Sequence, residues 1–256
     1  MSDSYGEATR SIAKQLLKAR RNASVLPQFP DALPTSLADA YAVQNCALSQ
    51  WDDTVAGWKV GGIPPQLQQQ FGADKVVGPI FAKSVRRAES GQCVTMPAFA
   101  AYVAIEVELI IEMGETRDDD RMFIGVEIAS SPIQHVNKLG LLAVASDFGI
   151  NGGLLVGPEV KNWRSVDFSL DEVKAVVGGE VYEPVRLTQR PDAALYSMAA
   201  LEKHCAQYGI NLPAGTFVSS GAITGVHETR IGSRTIADFG RLGSVEIVLS
   251  DLVHSL

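Results

Sequence analysis

A long stretch in the middle of the chain alternates between apolar and polar positions, which is the pattern of a β-strand with two different faces. Its apolar set is Val103, Ile105, Val107, Leu109 and Ile111. The opposite set contains Glu106 and Glu108. A second predicted strand, Met122 to Ile128, has Glu127 opposite its own apolar residues. The pattern therefore predicts two strands with one core face each and carboxylates on the other face.

Helical periodicity is found on both sides of these strands. Apolar spacing over 12–17 predicts a first helix, and a second opens at Ser36 with Asp39 as an acidic partner three residues on. Another helix follows Asp192 and ends before Gly209. Helices come first, and mixed β structure with interspersed helix follows. This order predicts an α+β fold, with a helical region over 1–52 and a mixed-β region over 53–256 in one continuous domain.

Composition narrows the class of protein. The 256 residues are 46% hydrophobic and 20% charged, and the formal net charge is -7. An acidic chain is poorly suited to nucleic acid or to an anionic membrane surface, so neither partner is expected. The first twenty residues lack the apolar core of a signal peptide, and three widely separated cysteines fit reduced, buried thiols. We therefore expect a cytoplasmic protein.

The carboxylates of the two strands are candidate metal ligands. Glu106 and Glu108 share one face of a strand at a separation of ~7 Å, so both can turn onto one cation. Glu127 is the candidate third ligand, and an all-carboxylate set suits Mg²⁺ or Mn²⁺ better than zinc. The alternative is that these side chains lie on a solvated face. The acidic run Asp118 to Asp120 is expected to be a solvated turn.

Lys59 is the candidate catalytic cation. It lies in GWKVGG, where glycines allow close backbone approach. Its functional interpretation is a charge directed at a substrate carboxylate or at a developing enolate, and the alternative is a surface lysine. Histidines are sparse, and none precedes the carboxylate strand. Of the four, His135 and His227 are loop residues that could contact a ligand.

An ordered series of motifs resembles the 2-keto-4-pentenoate hydratases and 4-oxalocrotonate decarboxylases of the fumarylacetoacetate hydrolase superfamily. The motifs are SLADAYAVQ, GWKVGG, VAIEVEL, VEIASSPI, VASDFGINGGLLVGP, LPAGTFVSSGAITG and GRLGSVEI. They span roughly positions 36 to 250. Each motif alone is weak, and the ordered combination is specific. The resemblance implies a mixed β-sheet roll with an N-terminal helical region, usually assembled as a homo-oligomer.

The resemblance also implies roles for particular residues. Glu106, Glu108 and Glu127 correspond to the family's ligands for a divalent ion, and Lys59 corresponds to its active-site lysine. The implied substrate-binding residues are Asp147, Ser220 and Gly221. Two departures are present: Val77 stands where an acidic residue is usual, and Ser131-Pro132 stands where Ser-Arg is usual. We therefore expect a proton-transfer group to be missing or relocated in this chain.

The activity implied by the resemblance is the addition of water to a small 2-hydroxy-2,4-dienoate, a 2-oxo acid in its keto form. Mg²⁺ or Mn²⁺ would act as a Lewis acid that stabilises a metal-bound enolate, and Lys59 would add a positive charge or shuttle a proton. The resemblance leaves two alternatives open, a decarboxylase of the 4-oxalocrotonate type and a non-catalytic homologue that binds metal or oxo acid. A decarboxylase needs a second carboxylate site, for which Lys83, Arg86 or Arg87 are candidates. C–C hydrolysis is disfavoured because no histidine precedes the carboxylate strand.

Overall fold

A computed structural model describes residues 5–252 of the chain, and over this range the chain forms six α-helices and thirteen strands. The helices are α1 (Glu7–Arg21), α2 (Leu37–Leu48), α3 (Pro65–Phe71), α4 (Val136–Leu139), α5 (Leu141–Ser146) and α6 (Arg190–Tyr208). The strands are β1 (Val55–Gly62), β2 (Lys75–Phe81), β3 (Val85–Arg87), β4 (Cys93–Ala98), β5 (Tyr102–Glu112), β6 (Arg121–Ser131), β7 (Asn151–Glu159), β8 (Glu172–Val177), β9 (Glu180–Arg186), β10 (Phe217–Ser219), β11 (Val226–Glu228), β12 (Arg234–Asp238) and β13 (Ser244–Asp251). The predicted α+β class is confirmed.

Two helix ends lie where the capping signals place them, the start of α2 and the end of α6, whereas α6 begins at Arg190, before the predicted position. The Ser36 hydroxyl accepts the Asp39 backbone N–H at 3.1 Å and donates to the Asp39 carboxylate at 2.7 Å, so α2 has the predicted acidic partner at its N-terminus. The C-terminal helix α6 is capped by Gly209 in the left-handed conformation. Within residues 5–252, no helix is both long and apolar enough to cross a membrane.

Two sheets form the body of the fold. The larger has eight strands in the order β2-β1-β10-β5-β6-β7-β3, with β11 also paired to β5. The smaller has the order β4-β13-β12-β8-β9. The two long central strands, β5 and β6, are antiparallel and paired over their full length, from Tyr102 opposite Ser131 to Glu112 opposite Arg121. This long ladder fixes the relative positions of the side chains on both strands.

The larger sheet is covered on both faces. The apolar set of β5 packs against apolar residues of the smaller sheet and of α6. On the opposite face, Ala104 and Ala129 pack under α1, α2 and α5. Further along that face, Ile110 and Phe123 belong to another apolar cluster. The alternative of a solvated second face is therefore excluded, because the N-terminal helices cover the face that contains the carboxylates.

Glycine allows β6 to lie close to its neighbours beside these carboxylates. Gly125 is paired with Glu108 across the ladder. A Cβ at Gly125 would lie 2.2 Å from Ile110 Cδ1 and 2.5 Å from the Leu155 carbonyl oxygen. Any larger residue would have to push β6 away from β5 or β7.

Two minor expectations about exposure are wrong. Cys93 is exposed, whereas Cys46 and Cys205 are buried as expected. In the acidic run, Asp120 is buried and accepts the Gly114 backbone N–H at 2.9 Å. Its carboxylate closes the turn between β5 and β6, so this part of the run is structural.

Candidate metal centre

Five adjacent strands of the larger sheet contribute side chains to one buried polar cluster. The members are Lys59 from β1, Ser219 from β10, Glu106 and Glu108 from β5, Glu127 from β6 and Asn151 from β7. Strand pairing places Lys59 beside Ser219 and sets Glu106 directly opposite Glu127. The cluster therefore depends on the sheet order and not on any local sequence motif.

The three glutamates lie close together and away from solvent. Each offers a carboxylate oxygen within 4.8 Å of the oxygens of the other two. Glu106 is 5% exposed, and Glu108 and Glu127 are 0% exposed. Carboxylates this buried are strongly disfavoured unless a cation or protons neutralise them. Their burial excludes the alternative that they are ordinary solvated strand residues.

Lys59 is the cation that the fold itself supplies. Its Nζ lies 3.6 Å from Glu106 Oε1 and 3.3 Å from Glu127 Oε1. The side chain is 4% exposed, so the surface-lysine alternative is excluded. Its stem passes Gly149, where φ is +61° and a Cβ would lie 3.0 Å from Lys59 Cδ. Glycine at this position leaves room for the lysine stem and allows the left-handed turn.

One lysine does not balance three carboxylates. With all four groups ionised, the cluster has three negative charges and one positive charge, which leaves two negative charges in a buried site. Burial raises the pKa of Glu108 well above its usual value, and the neighbouring Glu127 and Glu106 raise it further. Burial also raises the pKa of Glu127 to about 7, although Lys59 opposes this shift. A divalent cation would supply the missing charge.

The lysine remains charged in this environment. Burial acts to lower the pKa of Lys59, but the carboxylates of Glu106, Glu127 and Glu108 outweigh burial and raise it. Lys59 is therefore an ammonium group that can donate hydrogen bonds.

Two carboxylate oxygens have no hydrogen-bond partner although they are fully buried. They are Glu108 Oε1 and Glu127 Oε2. The other oxygen of each group is held, since Glu108 Oε2 accepts the Ser219 hydroxyl and Glu127 Oε1 accepts the Asn151 amide at 2.9 Å. Buried acceptors without partners are rare in native proteins. Hard oxygen donors with unused lone pairs fit Mg²⁺ or Mn²⁺, so the residues present are suited to such an ion.

The turn after β10 lies against Glu108. Ser220 was expected to contact substrate; its hydroxyl donates to the Leu109 carbonyl at 2.6 Å, and its own carbonyl accepts the Ser197 hydroxyl at 2.8 Å. The Gly221 backbone lies close enough to Glu108 to act against the rise in the pKa of that carboxyl. The structure thus places this predicted motif at the cluster, with Ser219 and not Ser220 as the side chain in contact. The substrate-binding roles of Ser220 and Gly221 stay predictions.

The Asp147 carboxylate contacts Arg20 and Ser131 and none of the three glutamates. It is buried, its Oδ1 lies 2.6 Å from Arg20 Nε, and its Oδ2 accepts the Ser131 hydroxyl at 2.6 Å. Its substrate-binding role also stays a prediction. Val77, the position where an acidic residue is usual, is buried. Its backbone N–H donates to the Tyr41 hydroxyl, and its carbonyl accepts the Gln44 side-chain amide.

The histidines within residues 5–252 do not join the cluster. His227 belongs to β11 and not to a loop; it is paired with Ile105, whose side chain belongs to the core between the sheets. Its ring lies 3.7 Å from the Tyr182 ring, centroid to centroid. His135 is exposed at the N-terminus of α4. Within residues 5–252 the polar contacts of the cluster come from carboxylates, Lys59, Ser219 and Asn151.

Ser219 and Asn151 were not singled out in the sequence. Ser219 lies in the quoted SSG motif, but only the pairing of β10 with β1 and β5 brings its side chain to Glu108. Asn151 begins β7, and its contact with Glu127 depends on the pairing of β6 with β7. A polar residue next to a glycine pair in an otherwise apolar strand, as in NGGLLV, is the one signal that the sequence offered.

Comparison with known proteins was made by sequence and by structure. No family model matches the sequence, and no curated protein matches it. Solved structures do match. The 4-oxalocrotonate decarboxylase of Pseudomonas putida G7, solved with calcium and acetate and with magnesium and adipate, is similar with a TM-score of 0.71. It is 20% identical, and the match covers 95% of this chain and 97% of that one.

A more distant match is the fumarylpyruvate hydrolase of Pseudomonas aeruginosa, in complex with Mn²⁺ and pyruvate. Its TM-score is 0.53 at 15% identity, over 79% of this chain and 93% of that one. At these identities the likeness establishes the fold. The chain therefore has the fold of these two enzymes, and the α+β class predicted from the sequence is confirmed.

The excess negative charge makes a prediction about stability. Glu108→Gln removes one buried charge, keeps an oxygen for Ser219 and adds an amide donor. In EDTA at pH 8.5 we expect its Tm to exceed that of the wild type by at least about 2 °C, on the order of 1 kcal/mol in a chain of this size. A carboxyl group whose pKa is higher in the folded protein than in the unfolded chain, where it is 4.5, stabilises the fold at pH values below 4.5. This stabilisation is lost as the pH rises through the pKa of the folded state. The gain should therefore be smaller at pH 6.

Thermal unfolding of both proteins at the two pH values measures this difference. Other titrating groups, such as His204, are the same in both proteins and cancel. Glu112→Gln is the matched control on the same strand, because Glu112 pairs with Arg87 and Arg121 and its loss should not raise Tm. A Glu108→Gln protein that is less stable than wild type at pH 8.5 would contradict the claim that excess negative charge destabilises the fold without the ion.

A divalent ion should offset the same excess of negative charge. We expect Mn²⁺ to raise the Tm of the wild type at pH 8.5, with about 2.7 kcal/mol of stabilisation at a concentration 100 times Kd. The rise should be smaller at pH 6, because protons on Glu108 and Glu127 must leave before the ion binds. Differential scanning fluorimetry over a Mn²⁺ series tests this. An equal rise for Glu108→Gln would show that the ion binds elsewhere.

Proposed function

We propose that the chain is a divalent-metal-dependent lyase that adds water to a 2-hydroxy-2,4-dienoate. The observation that supports this most strongly is the buried cluster of three carboxylates with one lysine and two unpaired oxygens. The fold is shared with enzymes that act on small oxo acids, and two of the solved relatives were captured with divalent ions. The proposal extends that chemistry to this chain.

Each side chain of the cluster has a part in the proposed reaction. Glu106, Glu108 and Glu127 would hold the ion, which when bound supplies Lewis acidity to the substrate's carboxylate and 2-oxygen. Lys59 Nζ would donate a hydrogen bond to that oxygen as negative charge accumulates on it during addition of water. Since Lys59 is held as an ammonium among carboxylates, it would stabilise the developing charge and could donate a proton, and it would not be the base that takes a proton from water.

The cations considered for a second carboxylate do not support decarboxylation. Lys83, Arg86 and Arg87 are all exposed. Lys83 Nζ donates to the Asp52 carbonyl at 3.1 Å, and Arg87 pairs with Glu112 at 3.2 Å, at the far end of β5 from Glu106. These contacts fit surface charges.

Decarboxylation is the second candidate function because of Lys75. This lysine is half-buried at the start of β2, and its Nζ lies 3.1 Å from the Ser197 hydroxyl, which in turn donates to the Ser220 carbonyl. Lys75 therefore lies beside the turn that contacts Glu108. An ammonium there could bind the second carboxylate of a substrate such as 4-oxalocrotonate.

The deciding experiment is product identification. Purified protein with Mg²⁺ or Mn²⁺ is incubated with 2-hydroxypenta-2,4-dienoate and separately with 4-oxalocrotonate. The proposal expects 4-hydroxy-2-oxopentanoate from the dienoate. Stoichiometric CO₂ from 4-oxalocrotonate without hydration of the dienoate, lost in Lys75→Met, would establish the decarboxylase instead. Turnover of neither substrate would favour a non-catalytic binding protein.

Lys59 is expected to affect the chemical step more than binding. Lys59→Met keeps the aliphatic stem and removes the charge. An interaction that strengthens as charge develops lowers the barrier more than it tightens substrate binding. We expect kcat to fall about a hundred- to a thousandfold, with a smaller change in KM. Steady-state kinetics measure both, with exposed Lys83→Met as the control. Wild-type kcat in Lys59→Met would remove Lys59 from the mechanism.

A further inference from the structure

Asn151 is a buried polar residue whose side chain touches one glutamate of the cluster. It is the first residue of β7 and is 2% exposed. Its Nδ2 donates to Glu127 Oε1 at 2.9 Å, and that oxygen is also the one that lies 3.3 Å from Lys59 Nζ. Glu127 Oε2 has no partner. Two donors thus fix one oxygen of this carboxylate and leave the other free.

Asn151 is itself held by a buried arginine from the N-terminal helix. Arg20, near the end of α1, donates from Nη1 to the Asn151 carbonyl at 3.1 Å and from Nη2 to the Asp147 carbonyl at 3.0 Å. Its Nε lies 2.6 Å from Asp147 Oδ1. The guanidinium also lies 5.4 Å from the ring centroid of Phe99 and 5.2 Å from that of Phe148. Arg20 is therefore held by an ion pair, two backbone carbonyls and two aromatic rings.

These contacts form a continuous path from the helical layer to the carboxylates. The Arg20–Asp147 ion pair fixes the backbone where the chain enters β7, and Asn151 extends from that backbone to Glu127. Partners that orient a metal ligand from behind fix its geometry and typically change metal affinity when removed. The N-terminal helical region would then position a metal ligand, through Arg20, as well as cover the site.

We propose that Asn151 is a positioning residue for Glu127 and that Arg20, paired with Asp147, sets the position of Asn151. Asn151 directs the free oxygen of Glu127 towards the ion by holding the other oxygen. Asp147, which was expected to bind substrate, acts in this arrangement by holding Arg20. This inference rests on the metal site of the proposed function.

The test measures Mn²⁺ affinity directly, by calorimetry and by electron paramagnetic resonance of the full-length protein. Asn151→Ala and the isosteric Asn151→Leu both remove the amide donor. We expect each to raise the Mn²⁺ Kd about 10- to 100-fold and to alter the resonance line shape of the bound ion. Asn211→Ala, at an exposed loop residue, is the matched control and should leave both unchanged.

Arg20→Lys tests the indirect part of the path. The lysine can keep a charge pair with Asp147, but it lacks the planar guanidinium through which Arg20 also donates to the Asn151 carbonyl. We expect a smaller rise in Kd than for Asn151→Ala, and no further rise when the two changes are combined. Additive effects would mean that Arg20 does not act through Asn151.

The outcomes separate this inference from the proposed function. Mn²⁺ binding by the wild type with a Kd that stays within twofold in both Asn151 variants would overturn the positioning role and leave the metal site intact. Absence of Mn²⁺ binding by the wild type would overturn both. If Asn151→Leu fails to fold, Asn151→Ala and Arg20→Lys still decide the question, since each keeps a cationic side chain paired with Asp147.

Discussion

The structure depends on the burial of three carboxylates on one face of a central pair of strands. Glu106 and Glu127 stand directly opposite each other, and Glu108 lies on the same face two residues along β5. Like charges in such positions repel, and a dry environment strengthens the repulsion. Lys59 offsets one of the three charges. Protons or a dication on these carboxylates would therefore stabilise the fold near neutral pH.

The surrounding fold supplies rigidity at the expense of its own stability. Apolar side chains lie on the same face before and after the carboxylates, so the site is enclosed along the strand direction. Ser219 and Asn151 hold one oxygen each of Glu108 and Glu127. Such preorganisation is what a metal site requires, because ligands that are already in place lose little freedom when the ion binds. The burial of the three carboxylates in fixed positions thus causes both the charge repulsion without the ion and the precise placement of the ligands.

Much of the fold could be predicted because it depends on local pattern. Strict alternation located β5 and β6 and put Glu106, Glu108 and Glu127 opposite their apolar residues, and the Ser36 and Gly209 signals located helix ends. The covering of the carboxylate face could not be predicted, because α1 and α2 reach it from the N-terminal part of the chain and end at Arg21 and Leu48, far before β5 in sequence. The same pattern of alternation is found in strands with one solvated face.

The parts of the site that the sequence did not reveal are those that depend on strand order. Ser219 and Asn151 reach the cluster because β10 and β7 lie next to β5 and β6 in the sheet. No spacing along the chain encodes that order. Asp147 illustrates the same limit: its motif was recognised, but its ion pair with Arg20 joins residues 127 positions apart.

The central claim is that the three glutamates form a single site for a hard divalent ion. Anomalous diffraction at the manganese absorption edge, from crystals grown with MnCl₂ near pH 8, tests it most directly. The account predicts one strong peak between Glu106, Glu108 and Glu127, in contact with Glu108 Oε1 and Glu127 Oε2. A map with no peak at these carboxylates, or with manganese bound only elsewhere on the chain, would contradict it.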